Sequence, residues 1–144
     1  MQTMSDPFQL QRFIDAQDPV YATVLAELRA GRKRTHWMWF VFPQLRTLGH
    51  SPTARHFGIS DVAEARAYLA HPVLGPRLRE CCRLAAAIEG RTAEQVFGFP
   101  DNLKLRSSAT LFALCGDDAG DFNAVLDRFY DGQPDPETLR TALP

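Results

Sequence analysis

The spacing of apolar residues divides most of the chain into amphipathic helices. Apolar residues that recur every three or four positions predict one buried helical face. The clearest such stretch in the front half follows Asp18-Pro19 and ends at Gly31, and its apolar face carries Val20, Tyr21, Val24, Leu25 and Leu28. An aspartate cap, a proline in the first turn and a glycine after the last turn are typical helix start and stop signals.

Similar signals recur along the rest of the chain. Thr92 and Gln95 have the spacing of a capping box for a short helix that ends near Gly98. Further helices are predicted to begin at Ser5 or Asp6, Ser60, Gly75-Pro76, Pro100-Asp101 and Asp135-Pro136 (the last through Leu143), and another carries Phe122, Val125, Leu126 and Phe129 before Gly132. The stretch from Leu45 to Gly58 is predicted to be a long irregular loop, and long loops in compact domains are often functional.

Residues 32–44, RKRTHWMWFVFPQ, contain both tryptophans of the chain. The run from Trp37 to Phe42 has the composition of a buried strand, because aromatic and β-branched residues favour strands. No other segment offers a credible strand partner, and a lone strand leaves its backbone groups without hydrogen bonds. We therefore predict a short buried helix, capped by Thr35 and ended by Pro43.

These elements predict an all-α fold. We expect residues 1–144 to form a compact single-domain bundle of about seven to eight helices around the short central aromatic helix. The chain has no internal repeat or low-complexity tract, and its 45% hydrophobic and 23% charged content is typical of a globular protein.

Charge and hydropathy exclude several classes of protein. The net charge of −1 argues against a broad nucleic-acid surface, which needs an excess of lysine and arginine. The longest apolar run, Trp37 to Phe42, is far shorter than the roughly 20 residues that span a bilayer. The N-terminus has no signal-peptide pattern, so the expected location is cytoplasmic and no membrane partner is predicted. Three cysteines, with Cys81 and Cys82 adjacent, predict reduced thiols rather than a disulfide framework.

The basic start of the tryptophan segment is a candidate anion site. Arg32, Lys33 and His36 lie beside the predicted helix start, where free backbone N–H groups attract anions. Phosphate or carboxylate is the expected ligand, with Trp39 or Trp37 as a stacking wall for a ring. The alternative is a solvated basic turn in which His36 bonds to backbone.

Lys104, Ser107 and Ser108 have helical spacings of three and four residues. This spacing is compatible with a Ser-Lys pair for nucleophilic chemistry or with a phosphate clamp. The alternative is that Lys104 pairs with Asp101 while the serines bond to the helix backbone.

Two other sequence patterns give weaker evidence for a functional site. Gly49-His50-Ser51-Pro52-Thr53 begins like a nucleophile elbow, but Thr53 replaces the second glycine and no strand precedes it, so Ser51 is kept as a turn residue or a pocket contact. The four histidines and three cysteines lack metal-site spacing, and neither a metal nor a cofactor is predicted.

Three stretches together resemble a known family: RKRTHWMWFVFPQLRTLGHSPTAR, YLAHPVLGPRL and FGFPDNLKLRSSATLF. They are similar to the uncharacterised, mainly bacterial family called domain of unknown function 1810, whose members are sometimes labelled calpastatin-like. The resemblance implies a compact, mainly α-helical domain and no established activity. Family members commonly have methionine where this chain has Ala109. The recurring motifs of the family include polar residues, namely His36, Gln44, Ser51, His71, Lys104, Ser107 and Thr110.

That polar set suggests a shared pocket between the tryptophan segment and the Lys104 helix. The leading hypothesis is binding of a small anionic or nucleotide-like ligand by Arg32, Lys33, Trp39, Gln44, Ser51, Ser107 and Thr110, together with His36 and Lys104. If the protein has catalytic activity, His36 is the expected general acid or base and Lys104 stabilises negative charge. The alternative is a helical protein–protein interaction module without catalytic activity, whose partner the sequence does not identify.

Overall fold

The computed structural model describes residues 6–116 and 118–142, and every regular element of this part of the chain is helical. The α-helices are α1 Gln11–Gln17, α2 Tyr21–Ala30, α3 Met38–Val41, α4 Pro52–His56, α5 Val62–Ala70, α6 Leu74–Ala86, α7 Ala93–Phe97, α8 Asp101–Ala113, α9 Gly120–Tyr130 and α10 Pro136–Ala142. A short 3₁₀ helix, Arg46–Leu48, lies between α3 and α4. The all-α prediction is confirmed, with more helices among the described residues than the seven to eight expected.

The additional helices lie mainly in the segment from Leu45 to Gly58, which is not an irregular loop. Ser51 caps α4, accepting a hydrogen bond from Ala54 N at 3.1 Å, and Pro52 occupies the first turn. The two ends of the segment meet in an isolated parallel bridge between Leu45 and Ile59. The Ser51-Pro52 pair is therefore a helix start of the same kind as those found elsewhere in the sequence.

The tryptophan segment lies in the core, as predicted. Trp37, Met38, Phe40, Val41 and Phe42 are all buried. Aromatic side chains dominate the burial in such a core. The predicted cap is wrong, however: Trp37 precedes the first helical residue, and the hydroxyl of Thr35 donates to Glu27 instead.

The contacts of α5, α6, α8 and α9 form the centre of the bundle. Tyr68 of α5 packs against Phe112 of α8 with ring centroids 5.3 Å apart, and Phe112 lies 5.9 Å from Phe122 of α9. Cys81 and Cys82 of α6 are free thiols buried in this core. Burial raises the pKa of Cys81 to about 12, so this thiol is protonated at neutral pH.

Most element ends follow local signals. Gly31 ends α2 in the left-handed region, and Thr92 and Gln95 form the predicted capping box of α7. Four other starts differ from the predictions: α1 begins at Gln11 rather than after a cap at Asp6, Asp18 ends α1 rather than capping α2, Asp61 rather than Ser60 caps α5, and α6 begins at Leu74, before Gly75-Pro76. Ser5 and Leu143 lie outside the described residues.

The chain contains no helix long and apolar enough to cross a membrane within residues 6–116 and 118–142.

Candidate functional site

A cavity of about 460 Å³ lies where three parts of the chain meet. The first is the segment after α3, the second is the start of α8, and the third is the start of α10. The lining residues are, in that order, Gln44, Leu48, Gly49, His50, Ser51 and Ala54; Pro100, Leu103, Lys104 and Ser107; and Asp135 and Glu137. Because these segments are distant in sequence, the cavity exists only in the folded chain.

Most of the surface that faces the cavity is carbon, as in typical small-molecule sites, although seven of the twelve lining residues have polar or charged side chains. Leu48, Ala54, Pro100 and Leu103 supply carbon surface. Leu103 has helical spacing to Leu111 and Leu114, which predicts a shared apolar face, but its side chain is 50% exposed. The polar groups thus interrupt a mainly hydrophobic wall.

Lys104 is held from two sides. Its Nζ atom lies 3.6 Å from Asp101 Oδ1 and 5.4 Å from the centroid of the Trp39 ring. Asp101 also binds Lys33, with Oδ2 and Nζ 3.0 Å apart, and Lys33 lies over the Trp37 ring. The chain's two lysines therefore share one carboxylate, and each faces one tryptophan. Cation–π contacts of this kind orient the ammonium groups.

Ser107 joins α8 to the start of α10. Its Oγ atom donates to the carbonyl of Leu103 at 3.2 Å and lies 3.4 Å from Asp135 Oδ2. The same carboxylate oxygen accepts from the N–H of Thr138 at 3.0 Å and from its hydroxyl at 2.6 Å, so Asp135 caps α10. Because a serine oxygen has two lone pairs, the Ser107 hydroxyl retains the capacity to accept a hydrogen bond from a ligand in the cavity.

Thr110 also lies where α8 contacts the start of α10, but its side chain is buried in the protein. Its hydroxyl donates to the carbonyl of Arg106 and accepts from the N–H of Asp135, both at 2.8 Å. It does not line the cavity. The contacts of Thr110 fix the position of α10 relative to α8.

The basic segment before α3 binds an internal anion. The carboxylate of Glu27, on α2, accepts from the N–H groups of Arg34 and Thr35 at 2.7 and 3.1 Å. Trp37 Nε1 also donates to it at 3.0 Å. Burial raises the pKa of Glu27, but these hydrogen bonds outweigh the effect and lower it to about 2. The backbone N–H groups considered for an external anion are thus satisfied by the protein itself.

The structure brings four of the predicted site residues to the cavity: Gln44, Ser51, Lys104 and Ser107. Trp39 lines a recess of about 10 Å³ that shares Gln44, Ala54 and Lys104 with the cavity. The remaining predicted residues, Arg32, Lys33, His36 and Thr110, are not lining residues. Arg32 and His36 are exposed.

Eight lining residues were not selected from the sequence as site residues: Leu48, Gly49, His50, Ala54, Pro100, Leu103, Asp135 and Glu137. Asp135 was interpreted as the cap of the last helix, and Leu103 as part of the apolar face of its helix. His50 lies one residue before the α4 cap, and recognising that cap would have directed attention to it. In the described part of the chain no cluster of three metal-binding side chains occurs.

Comparisons with known proteins agree with this fold. A family described as "Protein of unknown function (DUF1810)" has a sequence model that matches residues 7–142. The chain is similar to the crystal structure of the conserved hypothetical protein Rv1873 from Mycobacterium tuberculosis, with 57% identity and a TM-score of 0.93. The match covers 95% of this chain and 98% of that one. No curated protein matches the chain.

Proposed function

The chain belongs to the DUF1810 family of proteins of unknown function, and we propose that it binds a small carboxylate with an apolar or aromatic body in the cavity beside Lys104. The observation that carries the proposal is that Gln44, Ser51, Lys104 and Ser107 line one cavity. A volume of about 460 Å³ is within the range of small-molecule sites.

Lys104 is the group that favours an anion. An ammonium has three N–H donors, and the described contacts of Lys104 are one carboxylate at 3.6 Å and one aromatic face. A ligand carboxylate therefore has donors available to it. The apolar wall formed by Leu48, Pro100 and Leu103 suits a hydrocarbon or ring attached to that carboxylate.

The two acidic lining residues limit the charge of the ligand. Asp135 and Glu137 border the same cavity as Lys104, and like charges at short range disfavour a polyanion. A ligand with one negative charge is therefore favoured over a nucleotide with several phosphates. The sequence suggested a small anionic or nucleotide-like ligand, and the two carboxylates favour the members of that class that carry a single negative charge.

Binding, rather than turnover, is the activity that the geometry supports best. His36, the expected general acid or base, is exposed and does not line the cavity. The hydroxyl of Ser107 donates to the backbone of its own helix, as in the alternative considered for this serine. We therefore assign no proton-transfer or nucleophilic step to these residues.

A protein interaction is the second candidate function. Phe99 is 71% exposed, and it precedes the lining residue Pro100. An apolar side chain of a partner would then occupy the cavity with Phe99 at its edge. Phe99→Ser separates the two functions, because it removes apolar surface while leaving Lys104 in place.

The test is a thermal-shift screen of aromatic and aliphatic carboxylates, sugar phosphates and nucleotides. A ligand at about 100 times its Kd stabilises the fold by roughly 2.7 kcal/mol, a shift of several degrees. We expect a carboxylate to stabilise the wild type and the Phe99→Ser variant but not Lys104→Ala. Arg66→Ala, which removes an exposed cation elsewhere, is the matched control. Absence of any stabilising carboxylate, or equal stabilisation of Lys104→Ala, contradicts the proposal.

A further inference from the structure

A second cavity, of about 410 Å³, lies beside α4 and is lined by cationic side chains. Its charged residues are Arg12, Arg46, Arg55 and Glu64, and His56 also lines it. Three arginines against one glutamate leave two net positive charges. This is a local excess in a chain whose overall net charge is −1.

The charges of Arg12 and Glu64 are satisfied within the protein. Arg12 Nη2 lies 2.8 Å from Glu64 Oε2, and its other N–H groups donate to the carbonyls of Phe8, Gln9, His56 and Gly58. Glu64 Oε1 also accepts from the N–H and hydroxyl of Ser60 at 2.9 and 2.8 Å. The Arg12–Glu64 pair therefore forms part of the cavity wall and is neutral overall. The two net positive charges of the cavity must come from its other charged residues.

Arg46 and Arg55 carry that net charge. Both side chains are exposed, and neither forms an ion pair with a carboxylate of residues 6–116 or 118–142. Most of the other arginines of the described chain do have such a partner or a backbone acceptor, Arg12 being the clearest example. Two guanidinium groups at one concave surface are thus available to an external anion.

The backbone holds these two arginines close together. A Cβ atom on Gly58 would lie 2.4 Å from Arg46 Cα, so the chain at Gly58 packs directly on Arg46. The N–H of Gly58 donates to the carbonyl of Arg55 at 3.2 Å, and the N–H of Arg46 donates to Ile59 at 2.8 Å. The end of α4 is therefore fixed against the start of the 3₁₀ helix.

We propose that this cavity binds the phosphate group of a small phosphorylated molecule through Arg46 and Arg55. Guanidinium groups bind phosphate oxygens through paired N–H donors, which makes arginine the preferred side chain for this group. The cavity is concave and its excess charge is confined to two arginines, which suits a small ligand rather than a nucleic acid. The site is distinct from the cavity beside Lys104, with which it shares no lining residue.

The test is an NMR titration of ¹⁵N-labelled protein that follows the arginine side-chain Nε–Hε signals. Inorganic phosphate and ribose 5-phosphate are the two probes, and sodium chloride at equal ionic strength is the blank. We expect saturable shifts with phosphate-containing probes and an affinity at least about tenfold lower in Arg46→Gln and in Arg55→Gln. Arg66→Gln should stay within about twofold of the wild type, since this residue does not line the cavity.

Tighter binding of ribose 5-phosphate than of inorganic phosphate supports a phosphorylated metabolite, and equal binding supports phosphate itself as the ligand. Shifts that sodium chloride reproduces overturn the proposal, as does binding that survives both arginine substitutions. Because Arg46 and Arg55 are exposed, their glutamine variants should fold, and an unchanged Tm verifies this.

Discussion

The ammonium of Lys104 lies 5.4 Å from the centroid of the Trp39 ring. This contact joins α8 to the tryptophan segment, two parts of the chain that are distant in sequence. Asp101 strengthens the junction from the other side, 3.6 Å from the same ammonium. Lys104 is thus positioned before any ligand arrives, which lowers the entropy cost of binding.

Asp101→Asn should destabilise the fold by about 2–4 kcal/mol, because it leaves a buried ammonium without its carboxylate. The side chain of Lys33 is only 7% exposed, and Asp101 is its ion-pair partner at 3.0 Å. Urea denaturation measures the loss. Asp127→Asn removes an exposed carboxylate and is the control. Equal stability of the two variants would show that the Lys33–Asp101 pair does not hold the junction.

Glu27→Gln should cost about 2–4 kcal/mol, since it replaces a charged acceptor of several hydrogen bonds by a neutral amide. Arg34, Thr35 and Trp37 all donate to this carboxylate. Chemical denaturation gives the free energy of unfolding, and Glu89→Gln on the surface is the matched control. A loss no larger than that of the control would contradict the role assigned to Glu27.

The contribution of Glu27 should also disappear in acid. Burial raises its pKa, but the hydrogen bonds prevail and lower it from 4.5 to about 2. Because the folded pKa lies below the unfolded one, the stabilisation is complete above about pH 4.5 and is lost as the pH falls towards about 2. The difference in unfolding free energy between wild type and Glu27→Gln should narrow across this window. A constant difference from neutral pH to about pH 2 would show that the pKa is not lowered.

Gly58→Ala should destabilise the fold by about 1–3 kcal/mol, because the added methyl group meets backbone rather than a flexible side chain. The new Cβ would be 2.4 Å from Arg46 Cα. Gly116→Ala is the control, since its Cβ would have no neighbour nearer than 3.5 Å. Thermal denaturation compares the two. Similar Tm values would mean that Arg46 and Gly58 are not packed this tightly.

The sequence predicted the helices where the signals are local. Gly31 and the pair Thr92 and Gln95 act within one turn, so their roles follow from spacing alone. Ser51-Pro52 is an equally local signal, but Gly49, Pro52 and Gly58 together suggested an irregular loop. The buried helix at Trp37 followed from a global argument, the absence of a strand partner, and this prediction is confirmed.

The site was harder to predict because its contacts are long-range. Ser107 and Asp135 are 28 residues apart, and only the fold of α10 against α8 brings them together. In the same way, the carboxylate that satisfies the N–H groups of Arg34 and Thr35 comes from another helix. Residue type and motif resemblance selected Gln44, Ser51, Lys104 and Ser107, which line the cavity. The same criteria also selected His36, which does not, and spacing in the sequence could not distinguish the two cases.

The indole region of the ¹H–¹⁵N NMR spectrum tests the central proposal most directly, because the chain has two tryptophans in contrasting positions. Trp39 lies beside Lys104 at the recess, whereas Trp37 is 1% exposed and its Nε1 donates to Glu27. Titration with benzoate, followed by the other aromatic carboxylates, should shift the Trp39 indole signal in a saturable way and leave Trp37 unchanged. Trp39→Phe assigns the signals, and Lys104→Ala should abolish the shift. An unmoved Trp39 signal across all of these carboxylates, or equal shifts of both indoles, would contradict a ligand site beside Lys104.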